Sequence, residues 1–214
     1  MNAELIVLNV TKLGETSIVL HTISREHGRK GFVVKVSKKT SMSLFLPLNI
    51  LEADVQESNK PGLWRASSVT AKFPLSGIRS NIYKNTMTLF MSEVLYRTIK
   101  EGANEDGLFD WCAKSILTLD ALESDFSNYH IRFLLELAVA MGFSPSAEDL
   151  VPFAGQYYPI LKDFVSASFT EAMLLPLNGE TRNAMAEILL KYLSYHSESA
   201  INVQSLKVLR ELYS

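Results

Sequence analysis

The residues of this chain best suited to chemistry are six cations with hydroxyls threaded among them, and that chemistry is phosphate binding. Arg25, Arg29 and Lys30 border one turn, and Lys35, Lys38 and Lys39 follow, with Glu26 as the nearby countercharge. Ser37, Thr40, Ser41 and Ser43 interleave with the lysines and offer hydroxyl donors to phosphate oxygens. Each cation that neutralises a phosphate of a single strand adds about 0.7 to the salt dependence of binding. The plainer reading is a solvated cationic loop. Charge distribution favours the first. Residues 1–84 hold twelve Lys or Arg against six Asp or Glu, while residues 85–214 hold nine against seventeen, so +6 and −8 lie hidden inside a net charge of −2. A basic first part followed by an acidic second part points to two modules, the first facing a polyanion.

Catalytic patterns are missing. The chain has no G-x-S-x-G elbow, Walker phosphate loop, H-E-x-x-H or G-x-G-x-x-G. His21, His27, His130 and His196 lack metal-ligand spacing and read as turn, surface or core residues. Glu105-Asp106 and Glu148-Asp149 stand where helices are expected to start, so dipole or capping interactions account for them. Cys112, the single cysteine, lies on an apolar helix face and reads as a small buried hydrophobe; one thiol makes neither an internal disulfide nor a multi-thiolate zinc site. No metal, cofactor or enzyme activity is expected.

The elements that must hold the cations change character along the chain. Leu5–Val10, Ser17–Ile23 and Gly31–Val36 are short β-like runs separated by turn residues, which predicts a three-strand meander. Leu44–Val55 is a fourth run, with Pro47 marking an edge or bulge, and Leu63–Phe73 a fifth after the turn signal Asn59-Lys60-Pro61-Gly62. Five short strands with glycine turns suit an OB-fold barrel over residues 1–77. Phe32, Phe45, Trp64 and Phe73 could stack on bases, but their strand positions suit core packing, with Trp64 open to either role. Gly28-Arg29-Lys30-Gly31 matches a KH-type G-x-x-G loop, which joins two helices; here it joins strands and is discounted.

From residue 78 the period becomes helical. Tyr83, Met87, Phe90, Met91, Val94, Leu95 and Ile99 share one face, with Lys84, Glu93, Arg97 and Lys100 opposite. Leu108 to Leu119 marks a second helix, and Tyr129 to Met141 a central one, apolar almost all round and stopped by Gly142 and Pro145. Met185 to His196 and Leu206, Leu209 and Tyr213 mark two more, while residues 150–175 show no clear period and are expected to be irregular. The fold class is therefore α+β: a five-stranded OB-fold barrel, then an all-helical bundle over 78–214. Phe109, Trp111, Tyr157 and Tyr158 leave room for a partner peptide. No stretch reaches the roughly 20 apolar residues of a bilayer span, Met1-Asn2-Ala3-Glu4-Leu5 lacks the look of a secretory signal, and a reducing cytoplasm is the expected compartment.

The segment Leu13-Gly14-Glu15-Thr16-Ser17, running through a strand to Glu26-His27-Gly28, resembles the opening of the bacterial RecO family of DNA-repair recombination mediators. Leu46-Pro47-Leu48-Asn49-Ile50-Leu51-Glu52 resembles its fourth-strand segment. Ile131 to Leu137 with Met141-Gly142-Phe143-Ser144-Pro145 is similar to its central helix and stop, and Leu190 to His196 with Ser205-Leu206 and Arg210-Glu211-Leu212 to its end. The resemblance implies an OB-fold and a helical domain without a catalytic site. It also implies binding of single- and double-stranded DNA, strand annealing, and RecA loading with RecR in a bacterial cytoplasm, at the nucleoid. The partner implied for the helical domain is the acidic C-terminal tail of single-stranded-DNA-binding protein, for which Arg97, Arg132 and Arg182 are the candidate cations. Many members carry a four-cysteine zinc site after the central helix; Val151–Phe164 has no cysteine, so zinc is not expected. The alternative is a protein-interaction scaffold whose basic barrel binds acidic proteins.

Overall fold

In a computed structural model, which describes residues 1–58 and 62–213, the N-terminal strands close into a barrel. Its strands are β1 (Asn2–Lys12), β2 (Ser17–Ser24), β3 (Gly28–Lys35), β4 (Ile50–Glu57) and β5 (Trp64–Ala71), ordered β1-β2-β3-β5-β4. All neighbours are antiparallel except β3 and β5, which run parallel through Phe32↔Trp64, Val33↔Arg65 and Val34↔Ala66. Alternation builds the core. Ala3, Leu5 and Val7 of β1, Ile18 and Leu20 of β2, Phe32 and Val34 of β3, Leu51, Ala53 and Val55 of β4 and Ala66 of β5 point inward at every second position and are buried together.

The five-strand barrel and the helices after it match the expected fold class. Three local readings are corrected. Leu44–Leu48 is not strand: Met42–Phe45 forms a 3-10 turn and β4 begins only at Ile50. Asn49 enforces this, because its side-chain amide donates to the carbonyls of Ser43 and Leu44 at 2.9 Å each and holds the chain folded back. Residues 59–61 of the expected turn lie outside the described residues.

By internal packing the chain divides into two compact units, one of Met1–Ser76 with Ile99–Ile116, the other of Gly77–Thr98 with the chain from Leu117 on. The helices are α1 (Ser76–Arg79), α2 (Ile82–Thr98), α3 (Leu108–Ala121), α4 (Tyr129–Ala140), α5 (Ala147–Ala154), α6 (Tyr158–Ser166), α7 (Phe169–Leu174), α8 (Gly179–His196) and α9 (Ser205–Tyr213). In the second unit, α4 is buried along Ile131, Phe133, Leu134, Leu137 and Ala138 and packs on α8 and α2. It ends in a Schellman motif, with the Gly142 N–H donating to the Val139 carbonyl and the Phe143 N–H to that of Ala138, both at 2.9 Å.

The second correction is residues 150–175, which are helical rather than irregular. Two capping boxes start α5 and α7: Ser146 and Asp149, then Ser168 and Glu171, exchange side-chain and backbone hydrogen bonds. The third is Lys84, expected on the polar face of α2 but 3% exposed. Its ammonium donates to the carbonyls of Asp120 and Leu122 at the end of α3, 5.2 Å from the centre of the Phe126 ring. A cation satisfying the last carbonyls of a helix is favoured by the dipole. Among the described residues no helix is long and apolar enough to cross a membrane.

Candidate nucleic-acid interface

The parallel seam of β3 and β5 is short. After Val34↔Ala66 the register ends, β3 finishes at Lys35, and β5 continues without a β3 partner. Ser68, at φ +53°, forms a bulge there: β4 advances two residues from Glu52 to Asp54 while β5 spans three from Ser67 to Thr70. Thr40, Leu44 and Phe45 of the 37–45 loop lie beside it. The result is a groove of about 510 Å³ lined by Ser17, Val33, Val34, Lys35, Thr40, Leu44, Phe45, Gln56, Arg65, Ala66, Ser67, Ser68 and Val69. Its lining carries two cations and no carboxylate. That charge balance suits an anion.

The loop places two more cations beside the groove. The Thr40 N–H donates to the Ser37 carbonyl at 3.0 Å, closing a turn whose two corner residues are Lys38 and Lys39. Ser37 and Thr40 exchange further hydrogen bonds, the Lys39 N–H reaches the Ser37 hydroxyl at 3.2 Å, and Ser41 and Ser43 pair at 2.7 Å. These hydroxyls therefore shape the turn, and the lysines project from it. Lys35, Lys38 and Lys39 are exposed and form no ion pair among the described residues.

The other three sequence-predicted cations sit elsewhere. Lys30 lies with its ammonium 4.2 Å from the centre of the Trp64 ring, and the His27 ring sits 4.5 Å from that ring, tilted by 47°. Burial, then Lys30, pushes the His27 imidazole below its ordinary pKa against the pull of Glu26. Arg25 bonds Glu4 at 2.8 Å and Asp110 at 2.5 Å, with its guanidinium 4.4 Å from the Phe109 ring centre. Arg29 is 4% exposed, its N–H donating to the Ala103 carbonyl at 2.7 Å and its own carbonyl accepting from Gly102 at 2.8 Å. Burial, then Arg29, lowers the pKa of His21, with Glu101 opposing. Lys35 thus lines the groove and Lys38 and Lys39 form the corner of the adjoining turn, whereas Arg25 is exposed but paired with Glu4 and Asp110, and Arg29 is buried. Arg65, exposed on β5 beside Val33, completes the cluster and was not identified from sequence. Only the closure of β5 onto β3 brings it there. Of the candidate stacking rings, Phe32 and Phe45 are buried core.

In the helical unit, Arg132 donates Nε to Glu136 at 2.7 Å and Nη1 to the Ala167 carbonyl at 3.1 Å. Arg182 donates to Asn128 Oδ1 at 3.0 Å, and Asn128 donates to the carbonyls of Ala172 and Leu175 at 2.9 Å. Both arginines thus brace the 167–175 segment, while Arg97 lies 3.9 Å from Glu93 on α2. The nearby surface groove of about 490 Å³ is lined by Asp163, Ser166, Ala167, Glu171, Leu174, Leu175 and Pro176, with two carboxylates and no cation. Tyr157 donates to Glu180 at 3.3 Å, Phe109 is buried beneath Arg25, and Cys112 is buried, which raises its thiol pKa. Asp163 on α6 is the sole residue of metal-ligand type between 151 and 164, and among the described residues no group of three or more His, Cys, Asp or Glu could hold a metal ion. This donor set does not fit zinc.

Comparison with known proteins gives two family matches: residues 1–72 match the model described as Recombination protein O N terminal, and residues 79–151 the one described as Recombination protein O C terminal. A protein of Bacteroides fragilis named DNA repair protein RecO is 30% identical over 97% of both chains. Proteins of the same name from Phocaeicola vulgatus and Flavobacterium psychrophilum are 29% and 27% identical, each over 98% of this chain and 97% of their own.

Proposed function

The chain belongs to the RecO family of recombination proteins, and from that premise we propose that it acts in DNA repair as a non-catalytic recombination mediator that binds single- and double-stranded DNA. The observation carrying the reading is the carboxylate-free groove on the barrel with Lys35 and Arg65 in its lining and Lys38 and Lys39 at the corner of the adjoining turn. Four cations within one surface region lower the local phosphate repulsion that keeps two strands apart, and counterion release supplies the affinity. Annealing of complementary strands follows from that neutralisation. The barrel, residues 1–77, is the DNA module; residues 78–214 are the partner module, working with RecR to load RecA in the cytoplasm, at the nucleoid.

The acidic tail of single-stranded-DNA-binding protein is the further partner we assign to the helical residues. Arg132 and Arg182 already hold Glu136 and Asn128, so a tail that uses them must displace those contacts, and Arg97 is the more accessible cation. Combining Lys35→Glu, Lys38→Glu and Lys39→Glu tests the DNA site: single-strand binding should be lost with the melting temperature unchanged. Unchanged affinity at moderate salt would remove these residues from the interface.

A further inference from the structure

The same groove has walls that phosphate neutralisation alone does not use. Its cations stand with apolar side chains: Val33, Leu44 and Val69 are half-buried, and Phe45, at 4% exposure, closes the side toward the core. The volume, about 510 Å³, falls within the roughly 300–1,000 Å³ of small-molecule sites. Beside these walls, Ser67 and Ser68 lie on the part of β5 that has run past its last β3 partner. Both serines are lining residues, and the Ser67 hydroxyl, which donates to the Asp54 carbonyl at 3.4 Å, keeps its lone pairs for a donor. A backbone-tracking surface would need the cations but neither the apolar slot nor the open strand edge.

We infer that the groove accommodates one unpaired base: the ring inserts between Val33, Leu44 and Val69, its polar edge meets Ser67 and Ser68, and its phosphate lies against Lys35 and Arg65. The inference rests on the reading of this groove as the DNA site and adds what the site recognises. A base held in a duplex is stacked and paired, and must be flipped out before it can enter. The slot therefore favours single strands over duplexes of equal charge. It also leaves one base unstacked where a strand passes the barrel.

The test uses the full chain and two oligomers of equal length and phosphate number, one of deoxythymidine and one wholly abasic, titrated by fluorescence anisotropy at several salt concentrations. The expected result is about tenfold tighter binding of the base-bearing oligomer, as removing about 55 Å² of apolar surface from water would give. Val69→Phe, which fills the slot, should reduce the thymidine oligomer to the affinity of the abasic one and leave the abasic affinity unchanged. Ser67→Phe fills the slot from an exposed strand position and provides the same reading should Val69→Phe disturb the fold. Equal binding of both oligomers by the unaltered protein would overturn the base slot while sparing the DNA site. Competition by polyglutamate as effective as that by the thymidine oligomer would likewise reduce the groove to a general polyanion surface. Failure to bind either oligomer would remove the DNA reading and the slot with it.

Discussion

Replacing Lys35, Lys38, Lys39 and Arg65 by glutamine removes four charges from one region while keeping polar side chains, and the consequence can be worked out in advance. None of the four forms an ion pair among the described residues, so each is available to a phosphate. With about 0.7 of logarithmic slope per single-strand contact, the four together contribute about 2.8. Raising monovalent salt from about 50 to 200 mM should then weaken the unaltered protein roughly fiftyfold through these contacts alone. The fourfold variant should lose that part of the dependence, and single substitutions should each flatten the slope by about 0.7. Anisotropy titrations with a short single strand at four or more salt concentrations measure both quantities. Exposed side chains of this kind carry little stability, so urea midpoints should coincide. A fourfold variant with the original slope would refute the assignment, whatever its absolute affinity.

Three predictions concern the frame that holds the site. His130 is fully buried in α4, edge-on to Phe90 at 6.0 Å, and burial, with Arg182 adding, pushes its pKa down to about 3. Its folded value lies below the unfolded one near 6.5, so the unfolded chain binds the extra proton first: stability is unaffected at pH 7 and falls by about 1.4 kcal/mol per unit as pH drops from roughly 6 toward 3. Urea unfolding should show that extra slope in the unaltered protein and lack it in His130→Asn; parallel profiles would contradict it. Glu93 accepts hydrogen bonds from the Ser205 hydroxyl, the Ser205 N–H and the Gln204 N–H at 2.6, 2.9 and 3.1 Å. Burial raises its pKa, but those bonds and Arg97 outweigh it and hold the carboxyl below its usual range; Glu93→Gln should cost about 1–3 kcal/mol and speed amide exchange in α9. A Cβ on Gly28, at φ +62°, would lie 2.2 Å from the Ala103 carbonyl, whereas one on Gly14, at φ +71°, meets open space. Gly28→Ala should therefore cost several kcal/mol and Gly14→Ala about 1, as thermal denaturation would show.

Much of the barrel was legible because strand side chains alternate, and inward positions such as Leu5, Val7, Phe32 and Val34 fall at that spacing on consecutive runs. The long helices were equally plain from their apolar periods. What escaped depends on contacts that no local pattern encodes. Lys84 occupies a polar position by sequence, yet its ammonium finds two carbonyls at the end of a helix far along the chain. Arg65 is the one charged residue of β5 and acquires meaning only when that strand closes on β3. The short helices between 147 and 174 do carry a local signal, since Ser146-x-x-Asp149 and Ser168-x-x-Glu171 are capping boxes, but Pro152 and Gly155 hide the period between them. Arg25 and Arg29 stand beside the lysines in sequence, and that proximity does not reveal that Arg25 pairs with Glu4 and Asp110 or that Arg29 is buried.

Hydrogen exchange read by mass spectrometry, with and without a saturating single-stranded oligomer, bears most directly on where DNA lies. Protection concentrated on 37–45 and on the 64–69 stretch of β5 is the predicted outcome. Protection confined to the helices, or to barrel segments away from the β3–β5 seam, would contradict it.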